Sequence, residues 1–264
     1  MTAAATVPLI EVRDLSKHFG GLTAIENLSF AIAPGTIKAV IGPNGAGKTT
    51  LFNMLSGIDR PSGGTILFDG QPIQALAPHR RVELGIARTF QNLQIFERMT
   101  VVENVMVGRH VRGRSGMAAA LLRLPGSRRE EQAIREAARR ALAAVGLEER
   151  ADRPAADLSF GERKLLEIAR AIASGPRLLL LDEPAAGLAA PDMARIVALI
   201  RRLNGEGITV LLVEHNMRLV MNLSHNILVL NFGRKIAEGT GEAVRRDPEV
   251  IEAYFGREDD DAAG

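Results

Sequence analysis

The sequence predicts an α/β fold in which a mainly parallel sheet surrounds a phosphate-binding loop, an antiparallel β-subdomain comes early, and an α-helical subdomain is inserted. Three observations carry that expectation. A glycine-rich run, Gly42 to Thr50, lies between an apolar strand-like stretch, Ile37 to Ile41, and a helix-like stretch, Leu51 to Leu55. Two later apolar runs, Leu178 to Leu181 and Thr209 to Val213, suit strands buried on both faces, as in a parallel sheet covered by helices. From Val101 to Gly146 strand alternation disappears and strong helix formers take over.

Composition sets the outer bounds. The chain has 264 residues, 46% of them hydrophobic, enough for one large core. Lys and Arg number 33 against 31 Asp and Glu, so the net charge of +2 creates no global field demanding nucleic acid. Cysteine is absent, which excludes disulfides and thiolate metal sites. Met1 to Pro8 lacks the basic start and apolar core of a signal peptide. No apolar run approaches the roughly 18 residues that span a bilayer, so a membrane role would come through partners.

In chain order, Leu9 to Val12 and Ile25 to Ile32 read as strands with a turn at Lys17 to Gly21. Phe19 in that turn is either a core residue or an aromatic face for a base. The run Gly42-Pro43-Asn44-Gly45-Ala46-Gly47-Lys48-Thr49-Thr50 then fits G-x-x-x-x-G-K-[ST]. Between a strand and a helix, such a loop points successive backbone N–H groups at phosphates, and the helix N-terminus adds partial positive charge. Lys48 would neutralise the outer phosphates and the Thr49 hydroxyl would complete a magnesium shell. The order of the glycines argues against the dinucleotide fingerprint G-x-G-x-x-G.

Thr65 to Phe68 reads as a strand between turns, Pro78 to Leu84 as a short helix, and Ile86 to Phe90 as a strand that delivers Gln91. Gln91 is either a surface residue or, beside a nucleotide, a magnesium ligand or a holder of the attacking water. The arginines from Arg109 to Arg129 could meet anionic headgroups or a partner, or simply solvate a helical face. Ser159 precedes the helical stretch from Arg163 to Ala173. It suits a helix cap and, with the Gly161 amide, a second anion site.

Leu178 to Leu181 ends in Asp182 and Glu183. Ligands of parallel sheets sit at the carboxyl ends of strands, so Asp182 falls where it can hold magnesium and Glu183 where it can polarise water. Paired carboxylates at the end of a buried strand have no cheap structural reason, because unpaired buried charge costs several kcal/mol. Pro191 to Leu203 reads as a helix, and the strand from Thr209 ends in Glu214 and His215, at the same rim as Asp182 if the strands are parallel. A hairpin around Gly233 follows. Glu258 to Asp261 lie in an acidic tail with the composition of a disordered segment.

The ordered set resembles the nucleotide-binding subunits of ABC transporters: the phosphate loop, Gln91, the run Leu158-Ser159-Phe160-Gly161-Glu162, the strand ending in Asp182-Glu183, and His215. The resemblance covers roughly Leu9 to Gly256. It implies an ABC-type P-loop NTPase over 1–264, with a RecA-like core and β-subdomain in 9–90 and 160–256, a helical subdomain at about 92–159, and a tail at 257–264.

It further implies ATP and Mg2+ as ligands, with Phe19 stacking on adenine and Gln91 as the Q-loop. Ser159, Gly161 and Glu162 become the signature segment, Asp182 and Glu183 the Walker B pair, and His215 the switch histidine. Lys48, Gln91, Glu183 and His215 are then the catalytic set, and Thr49, Gln91 and Asp182 the metal set. Two stretches, Arg88-Thr89-Phe90-Gln91 and Glu183-Pro184-Ala185-Ala186-Gly187-Leu188, look like the LivG type of ATPase from branched-chain amino-acid importers, as does the end from Asp247 to Gly256.

The partners that this resemblance implies are two membrane permease subunits, a second similar or identical ATPase, and indirectly an extracytoplasmic binding protein, at the cytoplasmic face of the inner membrane, with no nucleic acid. Other cargoes (urea or amides, another amino acid, lipopolysaccharide export) and a soluble non-transport ATPase are the alternatives. The chain departs from many relatives at Phe160 and Glu162, where Gly and Gln are frequent, and at Ala189, where Asp is frequent.

Overall fold

The computed structural model describes residues 7–89, 95–109 and 125–255. Two compact units emerge, one formed by 1–81 with 201–264 and the other by 82–200.

The first unit holds the phosphate loop. Strands β1 (Ile10–Phe19) and β2 (Leu22–Ile32) pair antiparallel, and β4 (Gly63–Phe68) and β5 (Gln71–Pro72) complete a sheet in the order β2-β1-β4-β5. The register pairs Phe19 with Leu22, so the turn shrinks to Gly20-Gly21 and β1 runs further than the sequence patterning suggests. Apolar residues at positions 10, 12 and 15 overrule the polar letters between them because they bury one face.

In the same unit β3 (Ile37–Ile41) lies between two parallel neighbours, β8 (Thr209–Val213) and β9 (Asn226–Asn231). All five residues of β3 and of β8 are buried, Lys38 and Thr209 among them, as in strands covered on both faces. The antiparallel strand β10 (Arg234–Gly239) closes this side, turning at Phe232-Gly233, both with positive φ. Helix α1 (Lys48–Ser56) leaves the loop at the end of β3.

The far end of α1 is held by an internal cation. Arg81, on α2 (Pro78–Leu84), is fully buried, and its guanidinium donates to the carbonyls of Met54, Leu55, Gln74 and Leu76. Burial pulls its pKa down to about 10. The last carbonyls of a helix lack intrahelical partners and carry partial negative charge, so a cation there satisfies both needs.

The second unit holds a parallel pair, β6 (Ile86–Arg88) and β7 (Leu178–Asp182), with Arg88 opposite Leu180. Its helices are α3 (Val101–Arg109), α4 (Pro125–Val145), α5 (Phe160–Ile172) and the first part of α6 (Ala190–Gly205). Helices α3, α4 and α5 pack on one another. In α4 the buried Ile134, Ala138 and Leu142 recur every fourth residue, the stripe expected of an amphipathic helix. The chain ends in α7 (Met217–Leu223), α8 (Gly241–Arg245) and α9 (Pro248–Phe255), all in the first unit. Among the described residues no helix is long and apolar enough to cross a membrane.

Candidate functional site

The phosphate loop is made of backbone. Gly42, Gly45 and Gly47 all have positive φ, at 151°, 80° and 98°. Two of these glycines are also forced by close approach: a Cβ on Gly42 would lie 2.1 Å from the Leu230 carbonyl oxygen, and one on Gly47 would lie 2.7 Å from that of Ala24. Pro43 accepts from the Ala46 N–H at 3.2 Å, and the Ala46 carbonyl accepts from Gly233 N–H at 3.1 Å, which ties the loop to the β9–β10 turn. Asn44 stands exposed at the tip.

Helix α1 begins at Lys48, behind Gly47 in the left-handed region, with no side chain capping its first N–H groups. Those amides are the natural partners of an anion. Lys48 is buried, and its ammonium donates to the carbonyls of Gly42 at 2.6 Å and Pro43 at 2.8 Å. The lysine thus lies under the loop, tied to the loop's own carbonyls. Thr49 is exposed and Thr50 half-buried on the first turn.

Two more candidates stand in the first unit. Phe19 is 46% exposed at the end of β1, with the Lys17 ammonium 4.6 Å from its ring centroid. An ammonium at that distance is attracted to the ring face. His215 follows β8 and is exposed. Its backbone N–H donates to the carboxylate of the buried Glu214 at 3.2 Å, and Asn216 caps α7 directly after it.

In the second unit the carboxylate end of β7 is made of side chains. Asp182 is 3% exposed and is paired with the guanidinium of Arg88, which reaches its Oδ2 at 2.9 Å. Its N–H donates to Thr89 Oγ1 at 3.3 Å. Glu183 takes a left-handed backbone with φ 47°, which costs a non-glycine residue about 1–2 kcal/mol. The Glu183 carbonyl accepts from Lys164 on α5 at 3.4 Å. Strain at the residue expected to handle water is the kind of cost that functional sites carry.

Ser159 and Glu162 form a complete capping box on α5. The Ser159 hydroxyl accepts from Glu162 N–H at 3.2 Å, and the Glu162 carboxylate accepts from Ser159 N–H at 2.9 Å. A hydroxyl that accepts in a cap still has its own proton to donate, so the cap and an anion contact are compatible at Ser159. The Glu162 carboxylate serves the cap and stands 3.6 Å from Arg150. Gly161 is pressed by Asp192 at the start of α6, whose carboxylate oxygen would lie 2.6 Å from any Cβ placed there.

Arg88, Lys164 and Asp192 are the residues that pattern reading does not single out for these roles. Arg88 stands in a strand, where a charged residue in an apolar run signals a buried partner. Lys164 and Asp192 carry no such signal, because solvated helix faces use the same letters. Gln91 lies outside the described residues, as do Arg112, Arg114, Arg123 and the acidic tail from Glu258 to Asp261.

A strand, a glycine loop sealed by its own lysine, and an uncapped helix, in a chain with a second buried strand ending in Asp-Glu, define a phosphate-loop ATPase. The sequence matches the family described as ABC transporter over residues 25–186, and the family described as branched-chain amino acid ATP-binding cassette transporter over 234–260. It is 44% identical over 250 residues to the high-affinity branched-chain amino acid transport ATP-binding protein BraF of Pseudomonas aeruginosa, covering 94% of this chain and 98% of that one. It is 43% identical, with the same coverage, to the corresponding protein LivG of Escherichia coli. A crystal structure of the ADP conformation of an ATP-binding cassette of an ABC transporter superposes with a TM-score of 0.83 at 33% identity, over 96% of this chain and all of that one. The chain belongs to the ABC transporter family as an ATP-binding, ATP-hydrolysing subunit.

Proposed function

We propose that this chain is the ATPase that drives uptake of branched-chain amino acids through a membrane transporter. The observation that carries this reading is likeness along nearly the whole chain to branched-chain amino acid transport ATP-binding proteins, together with the match of residues 234–260 to the family of that description. The working assembly is two permease subunits, this chain, and a second similar or identical ATPase at the cytoplasmic face, served by an extracytoplasmic binding protein.

Within that assembly each residue has a physical task. Phe19 offers its ring to adenine, and the loop amides from Gly42 to Thr50 hold the phosphates while Lys48 neutralises them. Thr49, Gln91 and Asp182 would hold Mg2+, which when bound would supply charge neutralisation for the leaving phosphates. Their chemistry fits, since hydroxyl, amide and carboxylate oxygens are the ligands this hard cation takes. Glu183 accepts the proton of the attacking water, and His215 orients the γ-phosphate end of the site. Ser159 and the Gly161 amide act on the nucleotide of the facing subunit, so ATP favours the closed pair by its higher affinity for that state.

Uptake of labelled leucine, isoleucine and valine by cells lacking this chain tests the cargo. Restoration by the wild-type chain and not by Glu183→Gln is the expected result; unimpaired uptake in the deletion overturns it. Pairing is tested by specific ATPase activity against protein concentration, which should rise with dimer formation. Constant activity in a proven monomer would refute the shared site.

A further inference from the structure

Arg88 and Asp182 form a buried ion pair between adjacent parallel strands. A buried guanidinium–carboxylate pair is often replaceable by apolar residues without loss of stability, whereas removal of one partner alone strands a charge. Here the guanidinium is buried, it grips one carboxylate oxygen at 2.9 Å, and it comes from the strand hydrogen-bonded to the carboxylate's own strand. The next residue, Thr89, holds the Asp182 N–H through its hydroxyl. Two successive residues of one segment therefore fix both the backbone and the charge of Asp182.

We propose that Arg88 is a positioning residue for the divalent cation: it holds Asp182 by Oδ2 and offsets its charge, so that the cation enters together with the nucleotide phosphates and not before them. The proposal rests on the reading of Asp182 as the cation-facing carboxylate. With Oδ2 committed, Oδ1 is left for the cation or its water. A cation approaching Oδ1 meets the guanidinium at close range and is repelled unless phosphate charge arrives with it. The phosphates of the nucleotide supply that charge. The consequence for Arg88 is that without its guanidinium Asp182 should take up a divalent cation even where no nucleotide is bound.

The test measures free Mn2+ by its paramagnetic resonance signal, with wild type, Arg88→Gln, Arg88→Lys, Asp182→Asn and the double variant Arg88→Gln/Asp182→Asn. In the absence of nucleotide, wild type and Arg88→Lys should take up no more Mn2+ than Asp182→Asn. Arg88→Gln should bind Mn2+ on the order of tenfold more tightly than wild type, from removal of one close positive charge, and the double variant should lose that gain. With ADP present, Asp182→Asn should weaken Mn2+ uptake.

If Asp182→Asn leaves Mn2+ uptake with ADP unchanged, the reading of Asp182 fails and the proposal with it. If that variant weakens uptake but Arg88→Gln behaves as wild type without nucleotide, the ordered-loading proposal alone is overturned. Wild-type protein that binds Mn2+ tightly without nucleotide, in a manner lost in Asp182→Asn, overturns it as well. That measurement needs no Arg88 variant, so the proposal stays exposed even where Arg88→Gln does not fold.

Discussion

The phosphate loop and the end of β7 are built in opposite ways. The loop is a backbone device: in the proposed mechanism its amides hold the phosphates, and close approach leaves no room for a Cβ at Gly42 or at Gly47. The end of β7 is a side-chain device: the carboxylates of Asp182 and Glu183 carry the proposed chemistry, and Arg88, Thr89 and Lys164 hold Asp182 and the Glu183 carbonyl in place. A backbone device is intolerant of added volume. A side-chain device tolerates volume and is sensitive to charge and proton affinity.

The sharpest break of that contrast is Glu183→Gln. The amide keeps the volume and removes the proton acceptor, so turnover should fall on the order of 10² to 10⁴-fold, as for loss of a general base. ATP affinity should stay within about twofold of wild type, since the loop is untouched. Parallel kcat and equilibrium ATP-binding measurements decide it, and near-normal hydrolysis by the variant would remove Glu183 from the role of base.

The complementary break falls on the loop, where two glycines with positive φ give opposite forecasts. At Gly42 a methyl group would meet the Leu230 carbonyl at 2.1 Å, so the loop or β9 must move. Gly42→Ala should lose roughly 3 kcal/mol or more of stability or of ATP binding, in the range of overpacked sites. At Gly45 nothing lies within 4 Å of a Cβ, and Gly45→Ala should cost only the left-handed penalty of about 1 kcal/mol. Thermal melts and ATP titrations of the two variants should therefore separate. Equal effects would mean that backbone conformation alone, and not close approach, selects these glycines.

The same contrast explains what was legible before the structure. Gly42 to Thr50 could be read at once, because a backbone site leaves its demands in local spacing, strand before and helix after. The runs Leu178 to Leu181 and Thr209 to Val213 were legible because burial on both faces erases alternation. Arg88 was visible as a letter but not as the partner of Asp182, since that contact joins positions far apart in sequence. Phe19 was read into a turn because the polar residues of β1 hide its length, which the pairing with β2 sets. The helices Gly241–Arg245 and Pro248–Phe255 were too short to show a period.

Ser159 belongs to both kinds of construction, and the smallest predicted effects lie there. Its hydroxyl caps α5 as a structural acceptor, and in the proposed assembly its proton faces a phosphate. Glu162→Ala removes the carboxylate half of the capping box and should cost about 0.5 to 1 kcal/mol of stability while sparing turnover per folded molecule. Ser159→Ala should lose about 1 kcal/mol by the same loss of a cap, and additionally lower ATPase activity in the assembled complex. Melting temperature and kcat for both variants separate the two roles, because a cap affects only the fraction folded. If Ser159→Ala and Glu162→Ala reduce stability alike and leave kcat alike, Ser159 is a cap and nothing more, and the facing-subunit contact must rest on the Gly161 amide.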